Sequence, residues 1–344
     1  MKILSVAHAV PSWPVDNDYW LEKIRVNNRH LSREQLACVE RRVERYFEDT
    51  GTRVRFFLAD GEKAIDLVRK AGRAALESAN IDRRDIDLLI YAGVGRGWLE
   101  PAMAAVVQRE LGLTSATAFD VLDACASWLR ALHIASMFIR HGNIRRVMIV
   151  NCEASLMGYA NVGRADDPAF ESRLATMTIG EAATATIVGD ECRDDDVYFR
   201  LATFPDDFLL CMIPLSNASD FVADGDRVPE GDTKFFAHSR ELVMSTVRRI
   251  IEVYAADSRL KAWRYDICFG HAAGEKVECL VRRQLGIPDK TYFGTHARFG
   301  NTVSATIPLA MSAAIEEGRF KRGDRALIVV GSAGVSVGFC TLTF

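Results

Sequence analysis

Cys125 stands where an apolar run ends and a helical pattern begins. The residues AFDVL read as a short strand, Asp123 and Ala124 as a turn, and Leu129, Leu132, Ala135 and Ile139 then recur at helical spacing. A thiol at such a strand-to-helix turn meets the first unpaired amides of the helix and the positive end of its dipole. Both favour the thiolate, so the position predicts a lowered thiol pKa and a nucleophile. A buried, inert cysteine is the competing reading.

Two residues of the second half are suited to work with such a thiol. His271 follows directly on the apolar run DICFG, so its imidazole emerges at the carboxyl end of a buried strand, where α/β proteins place chemistry. Asn301, in FGNTVSATIP, follows Gly300, which lets the backbone approach closely, and its amide is a donor. A satisfied core histidine and a helix-capping asparagine are the plain readings of the two taken singly. Together with Cys125 they make a set that can polarise a thioester carbonyl: the thiolate attacks, and two donors stabilise the negative charge that develops.

The pattern predicts the elements that must hold these groups. Strands are expected at Lys2 to Ala9, in DLLIYAG (87 to 93), DICFG (266 to 270) and ALIVVG (326 to 331). Helices are expected at Asp16 to Ile24, Ser32 to Asp49, Ala64 to Ala79, Pro101 to Leu111 with proline in its first turn, His238 to Ala256, Glu275 to Leu285 and Ile307 to Glu317. The stretch from Gly158 to Gly231 carries acidic clusters, glycines and prolines that read as solvated loops without a chemical role. DLLIYAG and RVMIVNC lie about as far apart as DICFGHA and ALIVVGS, each pair bracketing a turn and a helix. The chain therefore reads as two related βαβ-rich halves, residues 1–190 and 191–344, in a layered α/β arrangement.

Composition narrows the function classes. With 344 residues, 49% hydrophobic and 26% charged, the chain can bury a large core. With a net charge of -3 and no long basic block, nothing indicates nucleic acid or a membrane surface as the main partner. No stretch reaches the length of a membrane span, and the start, MKILSVAHAVPSWP, lacks a signal-peptide core. The eight cysteines, at 38, 125, 152, 192, 211, 268, 279 and 340, are scattered without metal-type spacing, so no metal or cofactor is expected. Reduced thiols in a cytoplasmic protein are the reading.

DACASWLRALHIASMFIRHGNIRRVMIV, GHAAG, FGNTVSATIP and the final VGSAGVSVGF, with TGTRVRFF and TIGEAATATIVG, resemble the β-ketoacyl-ACP synthase III branch of the thiolase superfamily through almost the whole chain. The resemblance implies a five-layered αβαβα thiolase fold and a homodimer. It implies Cys125 as the acyl-accepting nucleophile, with His271 and Asn301 assisting carbon–carbon bond formation. It also implies an oxyanion hole from the backbone N–H of Cys125 and that of Ala333, where the family carries glycine. Acyl-CoA or acyl carrier protein would be the partner, and Lys276, where the family tends to carry a basic residue, would help that carrier dock. Arg282 and Arg283 would extend the patch, although a solvated helix face explains these charges equally well.

Two departures bear on the reaction. Gly274 stands where the family's histidine motif usually ends in asparagine. Glu100 stands where the fatty-acid enzymes place an aromatic residue that closes the neighbouring subunit's acyl pocket, and WLEP resembles the OleA thiolases, which join two acyl chains head to head and whose matching glutamate acts as a base. The plain reading of Glu100 is a charge favourable at a helix start. Claisen condensation to a β-ketoacyl product is the leading expectation. Transfer of the acyl group to an oxygen or nitrogen nucleophile, OleA-like condensation and a non-catalytic partner subunit are the alternatives. Trp98, Met103 and Phe208 are candidate pocket residues.

Overall fold

The computed structural model describes residues 1–142, 144–190, 197–226, 228–229, 233–271 and 274–344. Two sheets dominate. The first has five strands in the spatial order Lys2–Ala9, Ala182–Gly189, Arg146–Glu153, Leu88–Ala92 and Thr117–Val121. The second has four, in the order Ile267–His271, Arg325–Ser332, Ser336–Thr343 and Tyr198–Thr203.

The sheets repeat one topology. Leu88–Ala92 runs parallel to Arg146–Glu153, which pairs antiparallel with Ala182–Gly189, and that strand with Lys2–Ala9. In the second half Ile267–His271 runs parallel to Arg325–Ser332, which pairs antiparallel with Ser336–Thr343, and that strand with Tyr198–Thr203. Even the edge strand Thr117–Val121, parallel to Leu88–Ala92, has a remnant: a single parallel bridge between Cys268 and Tyr292.

Burial explains why these strands read as unbroken apolar runs. In Arg146–Glu153, Val147 and Ile149 face the central core while Met148 and Val150 face an outer one. In the second sheet Ala326, Ile328 and Val330 face the same central core, and Leu327 and Val329 another outer one. A sheet covered on both faces has no polar face to show. The central core is filled by the helices Ser127–Arg140 and Thr306–Glu316. Ala64–Ala79 and Met103–Leu111 cover the first sheet outside, and Ser239–Ala256 and Glu275–Gln284 the second. The order is therefore αβαβα, the thiolase fold.

Thr306–Glu316 is buried from Thr306 through Ala314, as expected of a helix that is apolar all round. Each central helix is entered in the same way. Ala124 (φ 43°) opens a short 3₁₀ turn, Ala124–Ala126, before one, and Val303 (φ 50°) opens Val303–Ala305 before the other. The duplication thus places two tight turns, one bearing Cys125 and the other just after Asn301, at the same level of the fold.

Two expectations need correction, and one strand went unread. The helix after Pro101 begins at Met103, because the Asp120 carboxylate accepts from the amides of Met103 (2.9 Å) and Ala104 (2.8 Å) and fixes the start there. The acidic stretch is not only loop: it holds Ala182–Gly189, buried throughout, and Tyr198–Thr203. Ser336–Thr343 was hidden by its Gly-containing sequence, although it pairs on both sides. The boundary between 190 and 191 adjoins residues 191–196, which include Cys192 and lie outside the described residues.

Candidate active site

Cys125 is held by a closed set of hydrogen bonds. Ser127 Oγ donates to the Ala124 carbonyl (2.7 Å) and accepts from the Asp123 amide (2.8 Å). Ser332, from the other half, accepts from the Ala126 amide and donates to the Asp123 carbonyl, both at 3.2 Å. The turn bearing the thiol is thereby tied to the loop bearing Ala333, and Cys125 and Ala333 line the same cavity.

Asn301 is fixed through its backbone. Its N–H donates to the Thr178 carbonyl (2.8 Å), its carbonyl accepts from Gly180 (3.0 Å), and its side-chain Oδ1 accepts from the Val303 amide (2.9 Å). The acceptor end is thus occupied and the NH₂ end is left for the cavity that Asn301 lines. Gly300 makes this possible: at φ 67°, ψ -161° it occupies a region only glycine adopts, and a Cβ there would stand 2.5 Å from the Thr178 oxygen. Gly300→Ala is therefore expected to destabilise the fold by about 2–4 kcal/mol and to displace Asn301. Denaturant unfolding checks this, and an unchanged midpoint would refute it.

His271 ends its strand as expected, 4% exposed. Burial lowers its pKa to about 4, so the ring is neutral at pH 7. A second buried histidine, His296, is held by Thr52 Oγ1 on its Nε2 (2.7 Å). Burial first, then His271 and Arg55, lower its pKa to about 3.

The expectation of a lowered thiol pKa is overturned. Burial pushes the Cys125 thiol well above its usual range, with Cys211 and Glu153 adding to the rise. Desolvation here opposes the helix terminus.

Cys125, His271, Asn301 and Ala333 line one cavity of about 1050 Å³. Its apolar wall includes Leu122, Leu156, Leu174, Met212 and Val243, a surface suited to a hydrocarbon chain. Trp98, Met103 and Phe208 do not line it. Glu100 is exposed and outside its own chain's cavity, beside the exposed Trp98 and Leu99.

Lys276 lies at the cavity and pairs with Asp49 at 2.5 Å. Arg283 is exposed. Arg282 is not available to a basic surface patch: it turns inward over the Tyr292 ring (5.4 Å) and pairs with Asp289 (2.9 Å). Gly274 is explained by packing, since a Cβ there would lie 2.8 Å from Thr50 Cα. The end of the helix Arg33–Thr50 occupies the space a side chain would need.

Sequence reasoning missed the polar support between the halves. Glu153, fully buried, accepts from the amides of Val94 (3.1 Å) and Gly95 (2.7 Å) and from Ser304 Oγ. Asn151 donates to Ser304 Oγ (2.8 Å) and the Ala92 carbonyl (2.6 Å). The signal was present in RVMIVNCE, where two polar residues end a run buried on both faces. Among the described residues no group of His, Cys, Asp or Glu has metal-binding geometry, and no helix is long and apolar enough to cross a membrane.

A cysteine, an imidazole and a carboxamide from two duplicated halves, gathered at one apolar cavity, define an acyl-transferring enzyme of the thiolase fold. The models describing 3-oxoacyl-[acyl-carrier-protein] synthase III match residues 119–203 and, for its C-terminal part, 256–344, together just over half of the chain. The beta-ketoacyl-[acyl-carrier-protein] synthase III of Methylococcus capsulatus is 29% identical over 315 residues, 91% of this chain and 94% of that protein. That of Ehrlichia canis is 26% identical over 93% of this chain and 95% of its own. Among solved structures, 3-oxoacyl-[acyl-carrier-protein] synthase III from Aquifex aeolicus superposes with a TM-score of 0.79 at 24% identity, covering 100% of this chain and 99% of that one. A variant of Xanthomonas campestris OleA gives 0.82 at 21%, covering 99% and 97%. The chain belongs to the 3-oxoacyl-[acyl-carrier-protein] synthase III family and is an acyltransferase-type enzyme.

Proposed function

We propose that Cys125 takes an acyl group from an acyl-CoA or acyl carrier protein thioester and passes it to a second, carbanionic thioester, giving a β-ketoacyl product. The observation that carries this reading is the meeting of Cys125, His271, Asn301 and Ala333 around a single apolar cavity. In the first step the backbone N–H groups of Cys125 and Ala333 stabilise the oxyanion and the carrier thiolate leaves. In the second, His271 and the free amide of Asn301 stabilise the enolate formed as the second thioester loses carbon dioxide or a proton. Lys276 and Arg283 are the basic residues for an acidic carrier, at the rim and on the adjoining helix. The enzyme acts in the cytoplasm as a homodimer.

Glu100 has its place in that dimer. It is exposed on a loop beside Trp98 and Leu99, 50% and 74% exposed, an apolar surface of the kind a second subunit covers. From there its carboxylate reaches the partner's cavity as a base. Head-to-head joining of two acyl chains is the second reading, favoured by that loop. One solved form of Xanthomonas campestris OleA holds lauric acid and lauroyl-CoA.

Incubation with acyl-CoA, followed by a malonyl thioester or a second acyl thioester, tests the assignment. Carbon dioxide release with a β-keto product supports decarboxylative condensation, a β-keto product without it supports the OleA-like reaction, and an acyl-enzyme that yields neither refutes both. Glu100→Ala is expected to spare acylation of Cys125 and to slow the second step by about 10²-fold. Single-turnover measurement of both steps checks this, and equal loss of the two would remove the role.

A further inference from the structure

The last turn of the helix Arg33–Thr50 brings Tyr46 and Asp49, three residues apart on one face, to the large cavity. The first turn of Glu275–Gln284 brings Lys276 to the same cavity, and its Nζ donates to Asp49 Oδ1 at 2.5 Å. Each charge stands at the end of its own helix that disfavours it: the carboxylate meets the carbonyl end of one dipole, the ammonium the amide end of the other. Both side chains stay more than half exposed, at 56% and 67%. A pair this open to water contributes little to stability and exchanges partners readily. Among the described residues the other charged groups lining the cavity are Glu171, tied to Arg42 at 2.7 Å, and the exposed Arg240 and Glu241. Three carboxylates therefore stand against two cations at the open end of the cavity, where a substrate enters.

We propose that Asp49 is a specificity-determining residue that competes with the substrate's phosphate for Lys276. The ligand chemistry is the phosphate of a phosphopantetheine arm, which coenzyme A and an acyl carrier protein share. In the free protein the Asp49 carboxylate occupies Lys276. An acyl thioester whose phosphate reaches the rim must displace that carboxylate, which then stands beside the incoming anion. Both effects lower affinity for a charged carrier, and neither acts on a thioester without phosphate. No bond made or broken at Cys125 is touched, so the effect falls on binding rather than on the chemical steps. This rests on the acyl-thioester reading of the site and names how its rim sets the affinity for the carrier.

One acyl group, carried in turn by coenzyme A, by an acyl carrier protein and by pantetheine without phosphate, tests it on the full chain and its Asp49→Asn variant. Asparagine keeps the shape and removes the charge. The variant is expected to lower KM for Cys125 acylation by about two- to fivefold with at least one phosphate-bearing carrier, with kcat near the wild-type value and no change for the pantetheine thioester. The gain should fade at about 1 M salt, where the screening length is about 3 Å, and shrink in a Lys276→Ala background. A gain with coenzyme A alone, or with the carrier protein alone, supports the proposal and identifies the source of the phosphate. An unchanged KM for both phosphate-bearing carriers, a gain that the pantetheine thioester shares, or one undiminished in Lys276→Ala would overturn it. Calorimetric titration with coenzyme A itself separates this contact from the reaction it serves. Tighter binding by Asp49→Asn in a protein that no thioester acylates would leave the competition standing and sink the acyl-transfer reading. Acylation of the wild type, with a variant improved for neither phosphate-bearing carrier, would do the reverse.

Discussion

Cys125→Ala is expected to abolish acyl-enzyme formation, leaving intact-protein mass spectra after acyl-CoA treatment unchanged, whereas the wild type gains one acyl group. Six other cysteines are described, and exposure does not select among them: Cys38 is exposed and Cys211 shares the large cavity. Position selects Cys125. In the proposed reaction its turn offers its own backbone N–H beside the Ala333 loop, which lines the same cavity, so an oxyanion would find donors when this sulfur attacks. Burial raises the thiols of both Cys125 and Cys211, the latter to about 12. A simple alkylating agent should therefore label both slowly at pH 7, while a thioester discriminates between them. Because the thiol must be ionised within the complex, loss of Cys125 should cost the whole reaction, a fall of 10⁴-fold or more on the order of that for other covalent nucleophiles. A variant that still gained an acyl group would place the nucleophile elsewhere.

How much of this was legible in the sequence follows from where each residue's partners lie. The three chemical side chains could be found because each stands at an edge of a local pattern: Cys125 between a strand and a helix, His271 after a buried strand, Asn301 after a glycine. Duplication was legible for the same reason, since strand, turn and helix spacing are local. Arg282 was misread because its partners, Asp289 and Tyr292, become its neighbours only after the chain turns back. Glu153 and Ser304 went unseen because the bond between them joins residues 151 positions apart. The thiol pKa failed in the opposite direction: a helix terminus can be read from spacing, but the burial that opposes it is a property of the assembled cavity. Gly274 departs from the family's motif for a reason equally remote in sequence: the end of the helix Arg33–Thr50 fills the space a side chain would need.

Acid should unfold this protein earlier than its carboxylates alone would require. His271 and His296 are both buried, with pKa values of about 4 and about 3, against about 6.5 in an unfolded chain. Above pH 6.5 both states hold the rings neutral, and the pair leaves stability independent of pH. As pH falls below 6.5 the unfolded chain takes up two protons that the native state refuses. Stability therefore drops with falling pH, until the native rings begin to protonate near pH 4 and below. At pH 4 the loss amounts to about 3 kcal/mol for each histidine, a large part of the stability of an ordinary domain. His296→Gln keeps a side-chain amide to bond Thr52 and cannot titrate, so it should remove roughly half of the pH dependence that this pair contributes between 6.5 and 4. His271→Asn should remove the other half. Denaturant unfolding at pH 7, 5.5 and 4 measures the slope, and an undiminished slope in the double variant would show that carboxylates, rather than these two imidazoles, set the acid limit.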